Sequence, residues 1–354
     1  TMASLGLFML LICVKYNVGY SFMDESETLV WPTEYHIKAE KINLDAGIAE
    51  TMEMCYKKHN GKNYDSETEH EMRKAIFHEN WEMIEHHNRQ NLGYKLSLNQ
   101  FVDRTLDEME ILTGLLPNPP ELEATHPFHS DEEVRRLAEE LPENFDLRME
   151  GVISPVKNQA HCGSCWAFAS TAAVEGAVAN GGRIVDLSEQ SLVDCAWGLG
   201  CMGCDGGWME SAFQYIVKHG LPVEEEYGSY LEQDGLCHKD NMTTTYTIKG
   251  YSKPTPHNAQ ALKVALYKYG PVAVSINFNK KMRYYDSGVF YDPDCNKGHT
   301  NHGVVVVGYG VRDGTDYWII KNSHGATWGQ AGYILISAKD NNCFVLSRPV
   351  YPIV

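Results

Sequence analysis

The sequence predicts an α+β protein, and three observations carry that reading. Cys165 to Ala179 (CWAFASTAAVEGAVA) is an Ala-rich helical run stopped by Asn180-Gly181-Gly182, and Leu187–Cys195 and Trp208–His219 continue in helical spacing. From Pro271 the period changes. Val272–Phe278, Gly303–Tyr309, Tyr317–Lys321 and Tyr333–Ser337 are short β-rich runs broken by Gly and Asp, the pattern of an antiparallel sheet or barrel. A helical half followed by a strand half leaves a cleft where the two meet.

Upstream, Ser66–Asn91 also reads as a helix. Glu69, Arg73, Phe77, Asn80, Ile84 and Asn88 fall on one face, so a stripe that buries Phe77 and Ile84 also repeats polar groups. Spacing alone favours an ordinary amphipathic helix. Residues 24–54 are mixed and acidic and show no firm element. Residues 117–140 hold four prolines and a run of carboxylates, which predicts an exposed linker open to proteolysis. A new unit then starts near Leu141-Pro142. Leu5–Val14 is apolar but shorter than the roughly 20 residues a bilayer demands; it fits a secretory signal peptide over residues 1–21. This divides the chain into residues 1–21, 22–140 and 141–354.

Composition narrows the function. Of 354 residues, 43% are hydrophobic and 22% charged, which excludes disorder, collagen and coiled coil. The net charge of −17 excludes a nucleic-acid partner, which would need clustered Lys and Arg. Most of the acidity lies before Pro142. No stretch is long and apolar enough to span a membrane. Eight of the ten cysteines follow residue 160, and Asn241-Met242-Thr243 is a glycosylation sequon; both point to the secretory pathway.

The chemistry gathers around Gln159-Ala160-His161-Cys162-Gly163-Ser164-Cys165-Trp166. A Cys at a helix N-terminus has its thiolate favoured by unpaired N–H groups and the helix dipole. Paired with an imidazole it becomes a nucleophile. Gln159 can place an amide beside it and, with the Cys165 N–H, form an oxyanion hole. His302, at the start of a strand of valines, is the candidate base. Asn322, at the end of YWIIKN, can fix its tautomer from a neighbouring strand. Two CxxC pairs, Cys162/Cys165 and Cys201/Cys204, taken alone also suit a zinc ribbon or a redox pair.

CGSCWAF preceded by Gln159, then His302 and Asn322, resembles the papain-like cysteine proteases over residues 66–354. The helical stripe Glu69, Arg73, Phe77, Asn80, Ile84, Asn88 is similar to the inhibitory propeptide helix of the cathepsin L-like branch, and Asn99, Phe101 and Asp103 to its second propeptide motif. DCAWGLGCMGCDGGW, EEEYGSYLEQDGLCH and NNCFVLSRPVY look closest to the insect haemocyte twenty-six/twenty-nine-kilodalton protease group. The resemblance implies a two-lobed fold, with a helical lobe and a β-barrel-like lobe, preceded by a helical propeptide. It implies the bridges Cys162–Cys204, Cys195–Cys237 and Cys295–Cys343, which spacing cannot choose. Cys201 is left over, with Cys55 as an open partner. It also implies a substrate cleft at Gly206, Gly207, Trp208, Met209, Ser275, Thr300, Gly303 and Trp328, peptide substrates, the propeptide and cystatin-like inhibitors as partners, no cofactor or metal, and an extracellular or lysosomal site of action.

Two departures stand out. His324 replaces the Trp that covers the Asn–His pair in the family, which predicts a wetter Asn322–His302 bond, like-charge repulsion and slower hydrolysis, or even a protein that binds peptides without turnover. Arg348 falls at the floor of the main specificity pocket, where a guanidinium would favour an acidic or polar side chain two residues before the cut, unless it turns to solvent. Eight of the 15 His lie within residues 22–140. Their protonation would weaken the prosegment's charge pairs, so self-processing is expected below about pH 6 after a cut near Leu141.

Overall fold

A computed structural model describes residues 41–179 and 183–354. The signal-like run Leu5–Val14 and the stop Asn180-Gly181-Gly182 lie outside the described residues. Among the described residues no helix is long and apolar enough to cross a membrane. The chain forms two compact units. The smaller takes residues up to Leu92 together with Leu96–Thr105; the larger takes Gly93–Lys95 and Leu106–Val354.

In the smaller unit α1 (Lys41–His59) precedes α2 (Glu67–Arg89). α1 covers a stretch where the sequence predicted no element. Ser66 caps α2 by accepting the Glu69 N–H at 3.2 Å, and the Glu69 carboxylate accepts the Asp65 N–H at 3.1 Å. The polar stripe residues then grip residues 96–103. Asn80 Nδ2 donates to Val102 O at 2.9 Å, Asn88 Nδ2 to Leu96 O at 2.7 Å, and Arg73 Nη1 to Asp103 O at 3.1 Å. Phe77 packs on Tyr56 with ring centroids 5.2 Å apart, and Ile84 is buried. Asn99 Oδ1 accepts the Phe101 N–H at 3.1 Å. The Asp103 carboxylate takes Tyr56 OH at 2.6 Å, Tyr64 OH at 2.9 Å and Lys62 Nζ at 3.0 Å. A plain amphipathic helix would bury only the apolar groups of this stripe; here the amides and the guanidinium bind backbone carbonyls.

The larger unit follows the order β1 (Tyr94–Leu96, entering this unit through Tyr94 and Lys95), α3 (Leu106–Glu110), α4 (Asp131–Ala138), β2 (Phe145–Asp146), α5 (Cys165–Val178), α6 (Glu189–Cys195) and α7 (Met209–His219). It continues through β3 (Leu221–Pro222), α8 (Glu224–Tyr227), β4 (Thr245–Tyr246), β5 (Gly250–Ser252), α9 (Ala259–Tyr269), β6 (Val272–Ile276), β7 (Tyr285–Phe290), β8 (His302–Arg312), β9 (Thr315–Lys321), β10 (Tyr333–Ser337) and β11 (Tyr351–Ile353). The main sheet runs β1-β7-β10-β9-β8-β2, with β6 also on β8. Its β8–β9, β9–β10 and β6–β8 ladders are antiparallel as expected, but β10 pairs β7 in parallel, with Leu335 opposite Val289. β7 (YDSGVF) was not foreseen, because Asp, Ser and Gly hide its strand pattern.

α5 is apolar nearly all round, so it runs through the interior. It packs against α6, α7 and β8. This packing carries the N-terminus of α5 to the first residues of β8. Among the described residues the bridges Cys162–Cys204, Cys195–Cys237 and Cys295–Cys343 close loops of the larger unit, while Cys165 and Cys201 keep free, buried thiols. Cys201 therefore does not pair with Cys55. Asn241 ends a 3₁₀ turn, Lys239–Asn241, and Thr243 of the sequon donates its hydroxyl to Glu226 at 2.7 Å.

The predicted exposed linker needs correction. Pro117, Asn118 and Pro119 are exposed, but the segment beyond is docked. Tyr251 donates its N–H to Thr125 Oγ1 at 2.7 Å and its hydroxyl to Glu123 O at 2.9 Å. A capping box between Ser130 and Glu133 starts α4. α4 buries Val134 against Ala261 and Val264 of α9, with Phe128, Leu137 and Leu141 around it. The prolines mark the start of this strap, while Ser130-x-x-Glu133 and the Val134/Leu137 spacing were the helix signal that went unread.

Candidate active site

Cys165 is the first residue of α5, after Ser164, whose side chain makes no capping hydrogen bond. Its Sγ accepts N–H groups from Gly303 and from Gly114, both at 3.2 Å. Gly303 follows His302, the first residue of β8. The imidazole is wholly buried; Nε2 lies 2.8 Å from Asn322 Oδ1, and Nδ1 has no hydrogen-bond partner. The β8–β9 ladder holds this geometry, since Val305 lies opposite Lys321 and Asn322 follows at once.

Gln159 is oriented from both ends. Its Oε1 accepts the Ser323 hydroxyl at 2.6 Å, and its Nε2 donates to Cys162 O at 2.9 Å and to Leu112 O at 3.2 Å. Ser323 is thus a positioning group that went unnoticed in the sequence. Its place between Asn322 and His324, rather than any motif of its own, was the available clue.

Residues 112–116 lie across this constellation. Gly114 N–H reaches the sulfur, Gly114 O accepts the Gly207 N–H at 2.9 Å, and Leu115 N–H donates to Asn301 O at 3.1 Å. Leu115 pairs with Gly207 in parallel. A side chain on Gly207 would collide with the Trp166 indole, its Cβ falling 2.7 Å from the ring. Burial beneath this segment sets the charges. It pushes the Cys165 thiol up to about 11, against the pull of the Gly303 and Gly114 N–H groups. It lowers His302 to about 4, against the opposing effect of Asn322. On both groups burial favours the neutral form.

His324 does not wet the site. It is 1% exposed, stacks on His302 with centroids 5.0 Å apart and an interplanar angle of 18°, and is enclosed by Phe278 and Trp328. Burial first, and His302 second, hold its pKa well below the ordinary imidazole value. In this state the wetter bond expected from the sequence meets a buried pair, with His302 wholly enclosed and Asn322 4% exposed. Trp328 is fully buried and donates Nε1 to Arg283 O at 3.0 Å.

Of the expected cleft residues, Trp208, Met209 and Ser275 are buried, and Thr300 is partly exposed two residues before β8. Gly206 and Gly207 flank the segment 114–116, and a Cβ on Gly303 would come within 3.1 Å of Met209 Sδ. Arg348 does not turn to solvent. Its Nη2 donates to Glu210 Oε1 at 2.7 Å and to Pro120 O at 3.0 Å, and its guanidinium lies 5.1 Å from the centre of the Trp208 ring.

The structure thus brings a free thiol at a helix N-terminus, an amide-held imidazole one residue before a glycine that caps that thiol, and an oriented glutamine into one unit, the residue types a thiol hydrolase uses. Comparison with known proteins agrees. Residues 141–353 match the papain family cysteine protease, and residues 55–109 match the cathepsin propeptide inhibitor domain (I29). The chain belongs to the papain family of cysteine proteases, as a cathepsin L-like member with an inhibitory propeptide. It is 38% identical to a cathepsin L-like peptidase of Aedes aegypti, over 85% of this chain and 92% of that protein. It is 36% identical to cathepsin K of Mus musculus, over 86% and 93% of the two chains. The structure of digestive procathepsin L2 proteinase from Tenebrio molitor larval midgut superposes with a TM-score of 0.79 at 35% identity, covering 86% of this chain and all of that one.

Proposed function

We propose that the chain is the zymogen of a cysteine endopeptidase of the secretory pathway, acting outside the cell or in lysosomes, in which Cys165 is the nucleophile and His302 the acid and base. The observation that carries this is the Cys165 sulfur, unbridged, capped by the Gly303 N–H and covered by residues 112–116. Withdrawal of that segment returns water to the site and removes the desolvation that keeps both groups neutral, so the proton passes from thiol to imidazole. The thiolate then attacks the peptide carbonyl carbon. The oxyanion meets Gln159 Nε2, which Leu112 O occupies beforehand, and the Cys165 N–H. His302 protonates the leaving amine, and then takes a proton from the water that hydrolyses the thioester. Asn322 keeps Nε2 engaged, so that Nδ1 is the nitrogen that exchanges the proton. Prosegment removal is promoted by acid, and the chain's cysteine-rich segments group it with the insect haemocyte proteases.

The test is acid treatment followed by assay of fluorogenic dipeptides and labelling by an epoxide probe. Turnover and labelling are both expected, and both are lost in Cys165→Ala. Labelling without turnover would support a second reading, motivated by the stacked His302–His324 pair: a papain-like fold that binds peptides and does not cleave them.

A further inference from the structure

Glu210 sits at the second position of α7, 2% exposed, and its Oε1 holds two cations at once: Arg348 Nη2 at 2.7 Å and Lys253 Nζ at 3.5 Å. Two cations on one carboxylate leave the cluster positive. The segment that follows Pro119 also meets these cations, with neutral groups. Arg348 Nη2 also donates to Pro120 O at 3.0 Å, and Lys253 Nζ to Leu122 O at 2.7 Å. Arg348 Nε is buried without a hydrogen-bond partner, and so is Ser275 Oγ. The cluster adjoins the thiol through packed residues. The Arg348 guanidinium covers Trp208, Met209 follows Trp208, and Met209 Sδ lies against Gly303, whose N–H caps Cys165.

We propose that Lys253 and Arg348, clasped by Glu210, form a cationic subsite for peptides with an Asp or Glu side chain two residues before the cut. The inference rests on the peptidase reading above. It adds Lys253 as a second specificity-determining cation and Glu210 as the group that positions both. Pro120 O and Leu122 O are placeholders in the zymogen. A substrate carboxylate replaces these neutral acceptors with charge-assisted hydrogen bonds, which are roughly twice as strong. Glu210 tempers the site, since its own charge competes for the same cations.

The test compares the activated enzyme on peptide amides that differ only in bearing Glu or Leu one, two or three residues before the cut. Epoxides with the same side chains run in parallel to label Cys165. The Glu to Leu ratio of kcat/KM is expected to be highest at the second position. It should fall about tenfold in Lys253→Gln and in Arg348→Gln, and shrink with added salt. Glu210→Gln gives the opposite sign: the ratio rises, whereas damage to the fold would lower both rates together. A ratio indifferent to Lys253→Gln and Glu210→Gln, with the Leu peptide still cleaved, overturns the subsite and leaves the peptidase reading standing. Labelling that keeps the Glu preference without turnover supports the subsite and overturns the peptidase reading. A Cys165 that takes neither probe overturns both.

Discussion

Gly114 is the tightest point between the prosegment and the site. A Cβ there would lie 1.7 Å from Gly163 O, and Gly163 is held in turn by Cys204 O, which accepts its N–H at 2.9 Å. Neither backbone can yield cheaply. Gly114→Ala should therefore weaken the lock, raising peptide turnover of the unprocessed chain at neutral pH by about tenfold, which corresponds to ~1.4 kcal/mol of lost inhibition. Unchanged leakage would mean that Gly114 does not bear on the thiol in solution. His324 is the other residue to test. In the proposed mechanism its neighbour His302 carries a proton, and a second stacked imidazole is a poorer cover for that charge than an indole, whose π face attracts cations. His324→Trp is expected to raise kcat/KM several-fold, and an unchanged rate would show that the burial seen here already serves. At this scale the proposed set Cys165, His302, Asn322 and Gln159 could be named from the sequence, because residue type and local context suggest its chemistry, and the structure holds its members in hydrogen bonds around α5 and β8. Glu210 and Lys253 were not. Glu210 meets Arg348 across 138 residues, and nothing in either local sequence announces the pair.

Among the elements, α4 is the unexpected one. Its residues were read as a loose linker because Pro and acidic groups dominate the composition, while one capping box and two apolar residues suffice to seat a short helix on a prepared surface. Within the larger unit, the residues before Pro142 thus dock at two places, residues 112–116 and the strap 122–141, joined by the exposed Pro117-Asn118-Pro119. Val134→Asp buries a charge in the α4–α9 contact and is expected to release the strap. Limited proteolysis should then cut residues 122–140 at least tenfold faster than in the native chain, with the 112–116 segment still protecting Cys165. Equal cleavage rates would show that α4 is not docked. The same contrast explains what the sequence revealed of the sheet. β8, β9 and β10 carry dense β-branched or aromatic runs and were visible, whereas β7 is defined by its neighbours.

Across the larger unit, the helical and strand halves are joined by a charge cluster in which Glu175 and Glu189 are buried while Asp186 is exposed. Lys157 Nζ lies 2.6 Å from Asp186, 2.9 Å from Glu189, 3.4 Å from Glu175 and 3.6 Å from Glu224. Ser154 links Glu175 on α5 to Lys321 at the end of β9, one residue before Asn322. Burial works against charge on Lys157, but Glu189 and Glu175 outweigh it and hold its pKa above the ordinary value. Burial pushes Glu189 above the ordinary carboxylate range, with Lys157 opposing it, and lowers Lys321 to about 8. Lys157→Met would strand carboxylates in the interior, at a cost of about 3–5 kcal/mol. Denaturant unfolding of the variant should show a matching loss, and a loss below about 1 kcal/mol would mean that water reaches the cluster.

The central claim is that the prosegment holds the Cys165–His302 pair neutral and that its removal creates the ion pair. Alkylation of Cys165 by iodoacetamide as a function of pH, before and after processing, tests it most directly. In the zymogen the rate should stay low through neutrality and rise only toward pH 11, where burial has placed the thiol. In the processed enzyme it should already be high below pH 7, and His302→Ala should abolish that low-pH reactivity. A zymogen thiol as reactive at pH 6 as the processed one, or a processed thiol indifferent to His302→Ala, would contradict the account.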